Sequence, residues 1–174
     1  MTEAPSRGSV VVRQAVAGDL PAIRRIYAHH VETGFASFEE VAPDLAEMTR
    51  RFEALRAAGF PYLVAADGDT VLGYAYLGPY RPRSAYRYTV EDSVYVAPEA
   101  MGRGAGRALL VALTAAAGDC GFRQIVAVIG DSANTASVGL HGALGFVHQG
   151  TLRNVGLKRG RWLDSVLMQL TLPA

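Results

Sequence analysis

EDSVYVAPEAMGRGAGRALL, residues 91–110, sets an alternating apolar run, a loop with glycine at 102, 104 and 106, and an Ala/Leu-rich segment in direct succession. The pattern predicts a strand, a tight turn and a helix whose N-terminal amides aim back at the loop. A triphosphate-binding loop requires Lys-Ser/Thr after its last glycine, and Arg107-Ala108 stand there instead. A dinucleotide fingerprint requires G-x-G-x-x-G, and counting from Gly102 or Gly104 puts Arg107 or Leu109 at the third glycine. What remains is a metal-free anion cradle for a pyrophosphate, or a plain glycine-rich connection.

The stretch sits in a chain whose other segments alternate between helix and strand. VVVRQAV (10–16) reads as a strand. GDLPAIRRIYAHHVE (18–32) reads as a helix capped by Asp19, with Leu20, Ile23, Ile26 and Tyr27 along its apolar stripe. PDLAEMTRRFEALRAAG (43–59) repeats that pattern and stops at Gly59, and YLVAADGDTVLGYAYLG (62–78) is a hairpin around Asp67-Gly68. After the glycine loop come a helix over about 104–118, a strand QIVAVI, a helix over about 135–144, and strands near 147–154 and 162–172. The expected fold is therefore α/β (α+β) with a mixed sheet, in one domain over 10–172 after a flexible N-terminus (1–9).

Composition narrows the function classes. Seventeen basic and sixteen acidic residues leave a net charge of +1, which gives no field for a nucleic-acid backbone or an anionic membrane. No apolar run approaches the roughly 18 residues that span a bilayer. The single Cys120 allows no internal disulfide, and no Cys/His spacing outlines a metal cage, so the expectation is a cytoplasmic protein without a metal. His29 and His30 are adjacent on a helix, point to different faces, and are read as structural.

Two further segments carry chemistry. In SANTASVGLHGALGF (132–146), Asn134, Ser137 and His141 follow one another at three- and four-residue spacing along one helix face, and Gly145-Phe146 form its stop signal. By itself such a stripe also suits a solvated surface helix. In TVEDSVYV (89–96), alternation sends Val90, Asp92, Val94 and Val96 to one side and Glu91, Ser93 and Tyr95 to the other, unless a β-bulge reverses the parity. Glu91 is then either a candidate base or a solvated strand end.

Taken together, SVYV, MGRGAG, IVAVI, NTAS and LHGALGF, in this order, resemble the GNAT superfamily of N-acetyltransferases. AYRYTVEDSVYV, GLHGALGF and GRWLDSVLMQL are similar to its phosphinothricin and methionine sulfoximine N-acetyltransferase branch. The likeness runs from about residue 10 to 172. It implies a mixed sheet of about seven strands, splayed in the middle and flanked by about four helices, with acetyl-CoA in the gap. It further implies that Val94, Tyr95 and Val96 serve the pantetheine arm and the thioester carbonyl. The loop Gly102, Arg103, Gly104, Ala105, Gly106 and Arg107 would hold the pyrophosphate, and Asn134 and Ser137 would face the cofactor from across the split. Met101 and Gly102 depart from the family's usual Gln or Arg start to this loop.

The expected reaction is direct attack of an amine on the bound thioester in a ternary complex. An aliphatic amine is almost wholly ammonium near pH 7, so a base is required. The family's matching glutamate gives Glu91 that role, and His141 is expected to assist as acid or base, since imidazole titrates near pH 6.5. Arg81, Pro82 and Arg83 with Glu91, Asp92 and Ser93 are expected to line the acceptor site, an arginine fork suiting a carboxylate or phosphinate, and Phe35 and Phe38 to wall it. The implied acceptor is a small amino acid or analogue, and the implied assembly a homodimer. Protein N-terminal or lysine acetylation and a non-catalytic CoA-binding sensor are the alternatives. Herbicide or antibiotic resistance and ordinary metabolism ask for the same pocket.

Overall fold

The computed structural model describes residues 9–173; apart from Ser9, the N-terminal segment expected to be flexible lies outside them. The elements run β1 (Val11–Gln14), α1 (Leu20–Thr33), α2 (Leu45–Ala57), β2 (Tyr62–Asp67), β3 (Thr70–Pro79), β4 (Thr89–Val96), α3 (Ala105–Asp119), β5 (Gln124–Gly130), α4 (Thr135–Gly142), β6 (Val147–Lys158) and β7 (Arg161–Thr171). All seven strands form one sheet in the order β1-β2-β3-β4-β5-β7-β6. Every pairing is antiparallel except β4 with β5. The sheet is mixed because hairpins supply both flanks while α3 supplies the crossover that a parallel pair needs.

The two middle strands pair over half of β4 only. β4 follows β3 without a register break from Val90↔Pro79 to Val96↔Gly73, but it pairs with β5 only over Thr89–Asp92. β5 meanwhile continues beside β7 to Gly130. From Ser93 onward the sheet therefore opens as a wedge between β4 and β5, as the family resemblance implied. No bulge reverses the parity of β4 against β3.

One face of β2–β4 carries an aromatic layer beneath α1 and α2. Tyr62, Tyr74 and Tyr76 stack with Tyr95 continuing the row at 5.3 Å from Tyr74, while Tyr27 and Phe52 meet the layer edge-on at 5.1 and 5.0 Å. Leu109, Leu110 and Leu113 of α3 are fully buried, each contributing about 1.5–3 kcal/mol by leaving water. At Gly73 an added Cβ would meet the Tyr95 carbonyl at 2.7 Å, so β3 and β4 approach closely because that residue is glycine.

Three local expectations change. Asp19 does not cap α1 with its side chain: the carboxylate accepts from Val16 N at 2.9 Å and clasps Arg13 at 2.7 and 2.8 Å, tying β1 to the helix entry. The α4 helix ends at Gly142 rather than near 144, because the chain turns through Gly145 at φ 91° and Phe146 N donates back to His141 O. The last two strands are 147–158 and 161–171. β6 outlasts the expected 154 by accommodating an irregularity between Leu152 and Gly156, where Asn154 has φ 52°.

Candidate active site

The wedge between β4 and β5 opens into a cleft of about 780 Å³. Its walls come from Asp92–Val96 of β4, Ala127–Gly130 of β5, the loop into α3, the cleft face of α4, and Gly34–Ala36 after α1. Ala97 N donates to Leu72 O at 2.8 Å, which commits Ala97 to β3. Strand alternation then commits Tyr95 and Ser93 to β3 as well, and turns the backbone groups of Val94 and Val96 toward the open wedge. An unpaired strand edge inside a cleft is a template for an extended, amide-bearing ligand.

The three glycines of the loop answer to two separate needs. Gly102 and Gly104 stand at φ 74° and 85°, a region that costs other L-residues about 1–2 kcal/mol. Gly104 is the left-handed N-cap of α3, whose first turn leaves the amides of Ala105, Gly106 and Arg107 without helical partners. Gly106 is there for space: a Cβ would lie 3.3 Å from both Val96 Cγ2 and Leu140 Cδ2, between β4 and α4. Gly102, Gly104, Ala105, Gly106 and Arg107 line the cleft, and so does Met101. Arg103 instead turns outward to an ion pair with Asp67 at 2.7 Å.

The cleft face of α4 presents Asn134, Ser137, Leu140 and His141. Asn134 also caps the helix, its side-chain oxygen accepting from Ser137 N at 3.2 Å. His141 is buried, with Nδ1 2.7 Å from Ser137 O and Nε2 3.0 Å from Asp92 Oδ2. A carbonyl only accepts, so Nδ1 carries a proton. The Phe146 ring meets the imidazole edge-on at 4.9 Å. Burial opposes charge on His141, but the Asp92 hydrogen bond and charge with the Ser137 carbonyl outweigh it and raise its pKa. Among the described residues, Asp92 Oδ1 is the buried side-chain polar atom left without a partner.

Glu91 lies on the opposite face of β4, between Gly78 of β3 and Val126 of β5, and is half-buried. Burial, then the neighbouring Asp92, raise its pKa. It does not line the cleft itself but stands one pleat before Ser93, which does. Asp92, grouped with Glu91 and Ser93 at the acceptor site by the family resemblance, faces α4 instead.

The other expected acceptor residues separate into two places. Phe35 lines the cleft, with the Arg161 guanidinium 4.9 Å from its ring centre and Arg161 paired to Asp131 at 2.8 Å. Phe38 is partly exposed and lies against Gly156, where a Cβ would come within 2.6 Å of its ring. Arg81, Pro82 and Arg83 border a separate hollow with Tyr86, Arg81 lying over the Tyr80 ring at 5.1 Å.

Sequence reasoning missed two features of this site. His30, read as structural, lines the cleft and donates from Nε2 to Val96 O at 2.8 Å, gripping β4 on its open edge. Burial lowers its pKa against that hydrogen bond, so it is held neutral. Asp131 lines the cleft at φ 66° and fixes Arg161 over Phe35. Its position directly after the glycine that ends β5 is the only sequence signal it offers. Among the described residues no three His, Cys, Asp or Glu side chains gather as a metal cage, and no helix is long and apolar enough to cross a membrane.

Residues 12–167 match the acetyltransferase (GNAT) domain model. The chain is 57% identical over 169 residues to a phosphinothricin N-acetyltransferase of Alcaligenes faecalis, covering 97% of this chain and 86% of the relative. It is 45% identical to an L-methionine sulfoximine/L-methionine sulfone acetyltransferase of Pseudomonas paraeruginosa, over 94% of this chain and 95% of the relative. A GNAT superfamily phosphinothricin acetyltransferase from Sinorhizobium meliloti, solved in complex with AcCoA, superposes with a TM-score of 0.90 at 47% identity, covering 94% of this chain and 88% of that one.

Proposed function

The chain belongs to the family of GNAT acetyltransferase domains, and on that premise we propose that it transfers the acetyl group of acetyl-CoA to the amine of a small amino acid or analogue of the phosphinothricin and methionine sulfoximine type. The observation that carries the reading is the wedge itself. It offers an open strand edge at Val94 and Val96, a helix N-terminus at Ala105–Arg107, and proton-active side chains on both faces of β4 at its apex.

The residues present suit acetyl-CoA. The absence of a side chain at Gly106 leaves room between Val96 and Leu140, where a Cβ would lie 3.3 Å from each. The amides of Gly102 and Ala105–Arg107 would hold the pyrophosphate, and the open-edge groups of Val94 and Val96 the pantetheine arm. Acetyl-CoA supplies the acetyl group as a thioester ready for direct attack. Glu91 takes the amine's proton, directly or through water, on the α1/α2 face of the sheet. The Val94 amide, turned into the wedge, is the donor placed for negative charge developing on the carbonyl oxygen. His141 serves the opposite face as the acid.

Phe35, pinned by Arg161, would close the acceptor side of the cleft, while Arg81 and Arg83 border a hollow apart from it. This reading places the protein in the cytoplasm, with resistance to a herbicide or antibiotic as one role of the activity. It also favours a homodimer. β6 is a twelve-residue edge strand, and Leu152, Val155, Leu157 and Trp162 on the β6–β7 hairpin are more than half or about half exposed.

The test is product mass after incubation with acetyl-CoA and each amino acid in turn. A product heavier than phosphinothricin or methionine sulfoximine by one acetyl group is the expected result. Acetylation of peptide N-termini or lysines alone would replace this reading, and binding of acetyl-CoA without any product would leave a sensor.

A further inference from the structure

His141 has both ring nitrogens occupied, and this limits what the residue can do. Nδ1 gives its proton to the Ser137 carbonyl at 2.7 Å, within the same helix. Nε2 meets Asp92 Oδ2 at 3.0 Å across 49 residues of sequence, with both side chains about 2% exposed. A carboxylate accepts, so the second contact also calls for a ring N–H, and the two contacts together describe an imidazolium beside a carboxylate. Asp92 is the charged group on β4 that faces the ring; α4 itself contributes the Ser137 carbonyl and hydroxyl, and the following turn contributes the Phe146 ring edge. The family comparison assigns Asp92 no such role, and the resemblance had placed it with the acceptor.

We propose that Asp92 is a positioning residue that holds His141 doubly protonated on the cofactor face of β4, so that the acid of the transfer is the Asp92–His141 pair and not an isolated imidazole. The inference rests on the acetyl-transfer reading for its catalytic consequence. An imidazole buried against Phe146 without an anion would be neutral, because burial disfavours the charged ring. Asp92 reverses that. Delivery of the proton requires Nε2–H to exchange its Asp92 contact for the departing thiolate sulfur; the Nε2–H bond then breaks, an S–H bond forms, and the carboxylate is left beside a neutral ring until a proton returns from solvent.

The test uses the whole protein labelled with ¹⁵N-histidine, with His141→Gln identifying the resonance. In the wild type both ring nitrogens of His141 read as protonated at pH 7, and the ring loses its proton above the ordinary value of about 6.5. In Asp92→Asn, which keeps the shape and an acceptor oxygen, the ring titrates lower by about one pH unit or more. If turnover is followed in parallel, the alkaline limb of kcat moves down by the same interval, while KM for acetyl-CoA changes less than about threefold. A His141 that is neutral at pH 7 in the wild type, or that titrates alike in both proteins, overturns the proposal. Thermal stabilisation by acetyl-CoA checks that the variant is folded. Absence of any wild-type acetyl transfer would strike the functional reading alone, because the ring titration is read without turnover.

Discussion

Glu91 and Asp92 are consecutive residues that stand on opposite faces of β4, Glu91 toward the α1/α2 side and Asp92 against His141 of α4. They sit where β4 and β5 stop pairing, so the apex of the wedge has a carboxylate on each side of the sheet. In the proposed reaction the pleat alone would separate the base for the amine from the acid for the departing thiolate.

Glu91→Gln removes the proposed base. The expected loss in kcat/KM for the amino acid is about 10²–10⁴-fold, with little change in acetyl-CoA affinity. In the wild type the acid limb lies above the ordinary glutamate value of about 4.3, because burial raises Glu91 and the base is available only above its raised pKa. A raised folded pKa favours folding below the unfolded value and loses that contribution as pH rises through the folded one, so Glu91→Gln is also expected to raise Tm at neutral pH. Rate profiles from pH 4 to 9 and melting curves check both.

Gly104→Ala and Gly106→Ala fail for different reasons. The first forces alanine to φ 85° and is expected to destabilise by about 1–2 kcal/mol, with no Cβ clash. The second puts a methyl group against Val96 and Leu140, and its expected signature is acetyl-CoA affinity reduced about tenfold or more. Calorimetric titration with acetyl-CoA alongside melting curves separates the two.

His30→Phe deletes the donor to the Val96 carbonyl. Loss of one such bond is expected to cost about 0.5–1.5 kcal/mol and to weaken acetyl-CoA binding, because β4's open edge loses its grip on α1. With its pKa depressed by burial, His30 supports folding above its unfolded value and withdraws that support as pH falls through the depressed value. Stability measured from pH 7 to 5 should fall less in the variant than in the wild type.

Gly156→Ala and Gly130→Ala both disturb the segment that carries Phe35. At Gly156 the obstacle is the Phe38 ring, whereas at Gly130 it is the Ala36 and Phe35 carbonyls at 2.6 and 2.9 Å. Phe38→Ala should therefore rescue Gly156→Ala and leave Gly130→Ala unrescued. A double-mutant cycle on Tm detects the coupling.

Much of this was legible in the chain because periodicity and glycine placement are local signals. The alternation of TVEDSVYV put Glu91 and Asp92 on opposite faces, and that parity is what the β3–β4 register preserves. Spacing placed Ser137 and His141 on the cleft face of α4. What was not legible depends on contacts distant in sequence. The His30–Val96 bond joins residues 66 apart, and the Asp92–His141 bond residues 49 apart, so neither leaves a local pattern. The α4 C-terminus was overestimated by about two residues, because the helical backbone ends at Gly142, ahead of the turn through Gly145 that was read as its stop. Arg103 looked like part of the loop's anion cradle, but Asp67, the last residue of β2, draws it away.

The most direct test of the account is CoA release by the wild-type protein, with phosphinothricin, methionine sulfoximine and a free-N-terminus peptide compared at equal concentration. The account predicts kcat/KM at least about 100-fold higher for the better of the two amino-acid analogues than for the peptide, equivalent to about 2.7 kcal/mol of transition-state preference. Peptide acetylation that equals or exceeds both analogues, or no CoA release with any of the three, would contradict it.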